Sequence, residues 1–227
     1  MRIGVLGTGV VGQTISEKLA SLDHDVMIGT RDPGAALARN TSERAWVPSF
    51  GEWHRTNEDV TVGTFADAAA HAELVINATN GQGSLEALEA AGDDNLDGKV
   101  LIDISNALDF SQGMPPTLFV SNTDSLAEQI QRAHPGARVV KTLNTVTARV
   151  MVEPGEVGGG DHTMFMAGND AGAKTEVAQI LQEWFGWHDV VDLGDVTNAR
   201  GMEMYLPLWV RLLGALSIPM FNIKVVR

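Results

Sequence analysis

The stretch Ile3–Gly12, IGVLGTGVVG, decides the fold. Its first half is apolar without alternation, as in a strand buried on both faces of a parallel sheet. Its second half spaces Gly7, Gly9 and Gly12 as Gly-x-Gly-x-x-Gly. Val10, Val11, Ile15, Leu19 and Leu22 then follow at helical intervals. The glycine spacing alone is weak, but between a buried strand and a helix it is the dinucleotide-binding fingerprint. The first glycine permits the tight turn. The second lets the backbone approach a pyrophosphate, and the third lets helix and strand pack closely. The N–H groups of Thr8, Gly9, Val10 and Val11 then face an anion at a helix N-terminus.

Further along, Asp25–Pro33, DVMIGTRDP, reads as the second strand of the same βαβ unit. In a chain that binds NAD this strand usually ends in an acid that hydrogen-bonds the adenosine ribose. Here it ends in Thr30 and Arg31. A hydroxyl and a guanidinium suit a 2′-phosphate, because arginine forms paired, charge-assisted hydrogen bonds to phosphate oxygens. The pair points to NADP rather than NAD. Asp32 is expected to turn to the opposite side, and Arg39 is a further candidate phosphate contact.

The alternation continues outward from this unit. Strands are expected near 59–63, 73–79, 98–105 and 137–143, with helices near 65–72, 83–92 and 124–134, the last capped by Asp124. Such regular alternation predicts an α/β fold, a Rossmann-type doubly wound parallel sheet. After about residue 145 the pattern changes to a Gly-rich loop at 152–161, a strand at 162–168, a helix from 171 and a strand at 189–194. A long apolar helix follows over 198–218, interrupted near Pro207, and FNIKVV at 221–226 could form a last strand. The division expected is residues 1–145 as an NADP-binding Rossmann domain and 146–227 as a smaller C-terminal α/β domain. Two loops are long, 31–60 with Trp46 and Trp53, and 106–124 with Pro115 and Pro116; either could cover a ligand.

Ligands in these sheets bind outside the carboxyl ends of the strands. Ala78, Thr79, Asn80, Ser105, Asn106 and Asn144 are therefore candidate contacts for nicotinamide and ribose, although each residue type also forms turns. Composition narrows the chemistry. The 227 residues carry a net charge of −13 and no cysteine. The charge argues against a nucleic-acid partner, and the missing thiols exclude disulfides, thiolate metal sites and a cysteine nucleophile. The histidines, at 24, 54, 71, 134, 162 and 188, are scattered, so no metal site is expected. No convincing acid/base pair stands out, which suits direct hydride transfer by a cofactor. No apolar run is long enough to span a membrane, and no leader pattern precedes MRIGVLG. The expectation is a cytoplasmic protein without a membrane partner. In DLGDVTNARGMEMYLPLW, Arg200 could hold part of a second substrate or pair with Glu203 at i, i+3.

The segments GTGVVG, GTRDP, VVKTLNT, GGDHTMFMAGND and DLGDVTNARGMEMYLPLW together resemble the NADPH-dependent deazaflavin (coenzyme F420) reductases and their actinobacterial relatives, over nearly the whole chain. The resemblance implies hydride transfer between NADP and the deazaflavin in a cleft, and a homodimer to which the C-terminal region contributes. It implies that Thr8 to Val11 hold the pyrophosphate and Thr30 with Arg31 the 2′-phosphate. Asn80 would lie on the nicotinamide side, Asn144 and Thr145 where nicotinamide meets deazaflavin, and Arg200 near the deazaflavin. The chain departs from archaeal members on the second-substrate side. Leu206 precedes Pro207 where they have a hydroxyl residue, and KTLNT lacks their His-Thr pair. Two alternatives stand beside this: reduction of another acceptor (a flavin, a quinone or a small carbonyl compound), and a non-catalytic NADP-binding sensor.

Overall fold

The structure, a computed structural model, describes residues 1–41 and 48–227. Its strands are β1 Arg2–Leu6, β2 Asp25–Thr30, β3 Thr61–Thr64, β4 Leu74–Asn77, β5 Val100–Asp103, β6 Leu108–Asp109, β7 Thr117–Leu118, β8 Arg138–Thr142, β9 Thr163–Gly168 and β10 Asp189–Asp192. Eight of them make one sheet in the order β3-β2-β1-β4-β5-β8-β9-β10, and β6 and β7 form a separate hairpin. From β3 to β8 every pairing is parallel, the doubly wound arrangement.

The strands read as continuous apolar runs because both faces are covered. On one face Ile3, Val5, Ile76, Ile102 and Val140 pack against Ile15 and Leu19 of the helix Val10–Ala20 and against Val177 and Leu181 of the helix Ala171–Glu183. On the other, Leu6, Val75, Leu101 and Val139 meet the helices Phe65–His71, Ser84–Ala91 and Leu126–Ala133. The register sets Leu6 beside Asn77, Asn77 beside Asp103, and Asp103 beside Lys141. A polar row thus crosses three apolar strands at one level near the carboxyl end of the sheet.

Residues after 145 extend this sheet instead of building a second one. β9 runs antiparallel to β8, and β10 parallel to β9. The helix in the β8–β9 connection, Ala148–Val152, has five residues. It rises only about 7.5 Å, too little to carry the chain back along a strand, so β9 enters from the end where β8 leaves. The expected last strand does not form. Phe221–Val226 is irregular and touches the start of β9 at Thr163, whose N–H donates to the Ile223 carbonyl and whose hydroxyl accepts from the Val225 N–H. The long apolar helix is split into Ala199–Met204 and Leu206–Leu216. Pro207 supplies no N–H and restricts the residue before it.

The long loops carry their own structure. Residues 31–60 contain the helices Pro33–Leu37 and Phe50–His54. Ser49 and Glu52 form a capping box on the latter, and Phe50 and Trp53 are buried and stacked with centroids 5.6 Å apart. Trp46 lies outside the described residues.

The helix Leu126–Ala133 is capped by Ser125, not by the expected Asp124. Ser125 is extended, so its hydroxyl reaches the Glu128 N–H at 3.2 Å. Asp124, one residue too early, instead accepts from Arg132 at 3.0 and 2.8 Å. Arg132, aided by Gln129 and the backbone, holds the Asp124 carboxyl at about 2, below its ordinary 3.8. A depressed folded-state pKa contributes stability above the ordinary value and loses it as pH falls from 3.8 through about 2. Arg132 is largely exposed, which screens the pair. Asp124→Asn is expected to cost about 1 kcal/mol at neutral pH. In urea titrations at a series of pH values, its gap from the parent protein narrows as the pH is lowered through that window.

Candidate functional site

A cleft of about 490 Å³ opens at the carboxyl ends of β1, β4 and β5. Its floor is the turn after β1. Gly7 has φ +118°, open to glycine but strained for other residues. A Cβ there would stand 2.7 Å from the Ala78 carbonyl oxygen, and one on Gly12 would stand 1.9 Å from the Gly7 carbonyl oxygen. The helix Val10–Ala20 therefore begins hard against β1. Gly9, its N-cap, has nothing within 4 Å of where a Cβ would lie. No acid occupies the first turn of this helix. Its N-terminal N–H groups remain available to an anion.

Of the candidate residues, Thr8, Gly9, Val10, Val11, Ala78, Thr79, Asn80, Ser105 and Asn106 line the cleft. Gly7 and Gly12 lie beneath it. Arg39, the further phosphate candidate, lines it too, and the structure adds Gln13, Thr41, Ser49, Phe50 and, from the 106–124 segment, Leu108 and Phe110. Among the described lining residues Arg39 is the one ionic side chain, and there is no aspartate or glutamate. In a chain with 29 acids that is a strong local bias. The cleft lining fits an anionic dinucleotide: N–H groups and Arg39 for phosphates, amide and hydroxyl side chains for ribose and carboxamide.

Thr30 ends β2 and is buried, whereas Arg31 is exposed, with its guanidinium 3.3 Å from Glu86. Neither lines the cleft. The Asp32 side chain accepts from the Ala35 N–H and caps the next helix, so it is committed away from a ribose or phosphate.

Asn144 is buried beside Asn106. Its side-chain N–H donates to the Asn106 side-chain oxygen at 3.0 Å and to the Met202 carbonyl at 3.2 Å, while Asn106 donates to the Asn144 carbonyl. The Asn144 side-chain oxygen and the Thr145 hydroxyl are buried without partners. Leu143, just before them, has φ +61°, a strained value for leucine.

Arg200 does not pair with Glu203. It makes a two-pronged ion pair with the nearly buried Glu128, at 2.8 and 2.6 Å. Arg200 in turn holds the Glu128 carboxyl below the usual range. A helical i, i+3 spacing suggested Glu203, but Glu203 points inward.

The sequence reading missed the inner network. Lys141 is fully buried, 2.8 Å from Asp103 and 3.1 Å from Glu203, and it also donates to the Ser105 carbonyl. Burial opposes its charge, but Asp103 and Glu203 outweigh that and raise its pKa above the ordinary lysine value. Asp103 further accepts from the Asn77 amide and the Ser105 hydroxyl, and Asn77 accepts from the Thr79 hydroxyl. Glu203 accepts from the backbone N–H groups of Leu126 and Ala127. The available signal was a polar residue at the same depth in each of three apolar strands, INAT, IDIS and VKTL.

Fold and cleft together define a dinucleotide-dependent oxidoreductase of the Rossmann type. Residues 2–107 match the family described as NADP oxidoreductase, coenzyme F420-dependent. A crystal structure of a candidate F420-dependent NADP-reductase from Arthrobacter sp. FB24 is 58% identical, with a TM-score of 0.94 and complete coverage of both chains. An F420-dependent NADP reductase from Methanothermobacter marburgensis is 29% identical over 93% of this chain and 92% of its own. A glycerol-3-phosphate dehydrogenase from Chlorobium phaeobacteroides is 26% identical over 67% of this chain, which spans only half of that relative's length. The chain belongs to the coenzyme F420-dependent NADP oxidoreductase family.

The two glycines at the helix start predict separable effects. Gly12→Ala forces helix and strand apart and is expected to cost about 1–3 kcal/mol of folding stability. Gly9→Ala leaves stability within about 0.5 kcal/mol and weakens NADP binding by roughly tenfold, about 1.4 kcal/mol. Chemical denaturation and titration calorimetry on both variants check the contrast.

Proposed function

We propose that this chain is an oxidoreductase that transfers a hydride between NADP(H) and the deazaflavin coenzyme F420. The observation that carries the reading is the cleft over the glycine turn, free of acids among its described lining residues, in a family of this activity. The nicotinamide, when bound, supplies the hydride chemistry. The protein's residues bind and align. The turn Gly7–Gly12 holds the pyrophosphate. Thr30 and Arg31, with Arg39 on the cleft wall, hold the 2′-phosphate. Ala78, Thr79, Asn80, Ser105 and Asn106 fix the ribose and nicotinamide. Asn144 and Thr145, whose buried oxygens have no partner, lie behind Asn106 and are assigned in this reading to the edge where nicotinamide and acceptor meet. Arg200, already engaged by Glu128, shapes the acceptor wall. Among its described lining residues the cleft offers no carboxylate or histidine as a general acid or base, so alignment is the main catalytic resource.

In this reading residues 1–145 bind the dinucleotide and 146–227 supply the opposite wall. The protein acts in the cytoplasm, without nucleic acid or membrane as partner. Among the described residues no helix is long and apolar enough to cross a membrane, and the net charge of −13 disfavours nucleic acid. It works as a homodimer through the helix Leu206–Leu216. Leu208, Leu216 and the following Ile218 are each at least half exposed, an apolar face suited to a second copy. Light scattering on a sizing column should report a dimer, and Leu208→Glu should shift it to monomer.

The enzymatic test mixes protein, NADPH and oxidised deazaflavin and follows the loss of deazaflavin absorbance. Rapid bleaching is expected, much slower with NADH. Arg31→Ala should raise KM for NADPH by roughly tenfold or more, as for a lost hydrogen bond to a charged group, and leave NADH little changed. No bleaching by protein that binds NADPH would overturn the deazaflavin and leave the cofactor reading standing.

A further inference from the structure

The helix Ala199–Met204 is tied to the cleft floor by two bridges, both from the end of β8. Lys141 links Glu203 to Asp103 and to the Ser105 carbonyl. Asn144, just beyond that strand, links the Met202 carbonyl to Asn106. From Asp103 the chain of hydrogen bonds runs on through Asn77 to Thr79, at the cleft surface. The third tie, Arg200 to Glu128, fastens the same helix to the helix Leu126–Ala133, whose first N–H groups also hold Glu203.

Three buried ionic groups are a poor source of stability, because well-packed apolar residues often serve as well or better. They are effective at fixing a single geometry. Lys141 has a particular reason to matter. Asp103 and Glu203 both approach it, so without the ammonium two buried carboxylates would face each other and repel. The direction of that repulsion is helix away from floor.

We propose that Lys141 is a positioning residue for the transfer. It sets the distance between the dinucleotide floor, Thr79, Ser105 and Asn106, and the helix Ala199–Met204 on the acceptor side. The proposal rests on the oxidoreductase reading given above. It adds a part for a lysine that touches neither substrate. Hydride transfer is steep in distance and orientation, whereas the pyrophosphate turn holds the dinucleotide independently of this helix. Loss of Lys141 should therefore reach turnover and spare dinucleotide binding.

Two variants separate positioning from stability. Lys141→Met leaves the carboxylates unpartnered. Lys141→Met/Glu203→Gln removes the repulsion without restoring the bridge. Stability by urea denaturation, Kd for NADP+, kcat with NADPH and deazaflavin, and amide hydrogen exchange of residues 199–204 are measured for both. The expected result is partial or full recovery of stability in the double variant. In both variants kcat per folded molecule stays at least tenfold low, Kd for NADP+ stays within threefold of the parent, and exchange over 199–204 is faster. If kcat returns with stability in the double variant, Lys141 is merely structural and the proposal is overturned. A fall in NADP+ affinity matching the fall in kcat overturns it too. If Lys141→Met does not fold, the double variant and Glu203→Gln alone carry the same test, and normal kcat with normal exchange in both refutes it. If the parent protein does not reduce deazaflavin at all, the functional reading fails. The exchange and binding measurements then still decide whether Lys141 fixes the helix.

Discussion

The approach of the helix Val10–Ala20 to β1 governs the rest of the molecule's working end. With no side chain at Gly12 the helix starts against the Gly7 carbonyl, and with none at Gly7 the same turn presses on Ala78 after β4. These contacts bring the helix N-terminus to the carboxyl ends of the parallel strands, where the sheet order already opens a crevice. The N–H groups of the helix then become part of the cleft and not of the protein's outer surface. Every other wall of the cleft, from Asn80 to Phe110, is arranged around that fixed point.

A second layer of order lies beneath the first. Asn77, Asp103 and Lys141 stand side by side on β4, β5 and β8, below the residues that line the cleft. Among the described residues the outer layer is neutral apart from Arg39, while the inner one is strongly ionic and fully enclosed. Asp103, whose charge would deter an anionic ligand at the surface, serves inside to hold Ser105 directly and Thr79 through Asn77.

Local signals in the sequence were sufficient for the parallel strands and the glycine turn of the first half of the chain. Buried parallel strands are apolar throughout, glycine turns have fixed spacing, and both survive without tertiary information. Ser125 and Asp124 show the limit of such signals, since either residue type can cap a helix and only the backbone angles choose between them. The reversal of β9 was not legible, because an apolar strand reads the same in either direction. Phe221–Val226 had a strand's composition but forms no ladder, bonding at the start of β9 and the loop before it through Thr163, His162 and Asp161. For Arg200 and Glu203 the spacing suggested each other as partners. Their real partners, Glu128 and Lys141, are more than sixty positions away. At the cleft the strand-end rule reached Thr79, Asn80 and Ser105, whereas Ser49, Phe50 and Phe110 came from loops whose path depends on the packed whole.

The contrast between a cleft without acids among its described lining residues and a chain of net charge −13 gives attraction and repulsion different ranges. At a distance, a dinucleotide meets the field of the entire molecule and is pushed back. Inside, in the reading proposed above, helix N–H groups and Arg39 take over. Dissolved ions damp the long-range part first, because the Debye length is about 8 Å at physiological ionic strength. Capture from dilute buffer is thus slowed by the protein's own charge and quickens as salt is added, up to the point where the phosphate contacts themselves begin to be screened. The acidic exterior makes a saline medium, and not pure water, the one in which this cleft fills fastest.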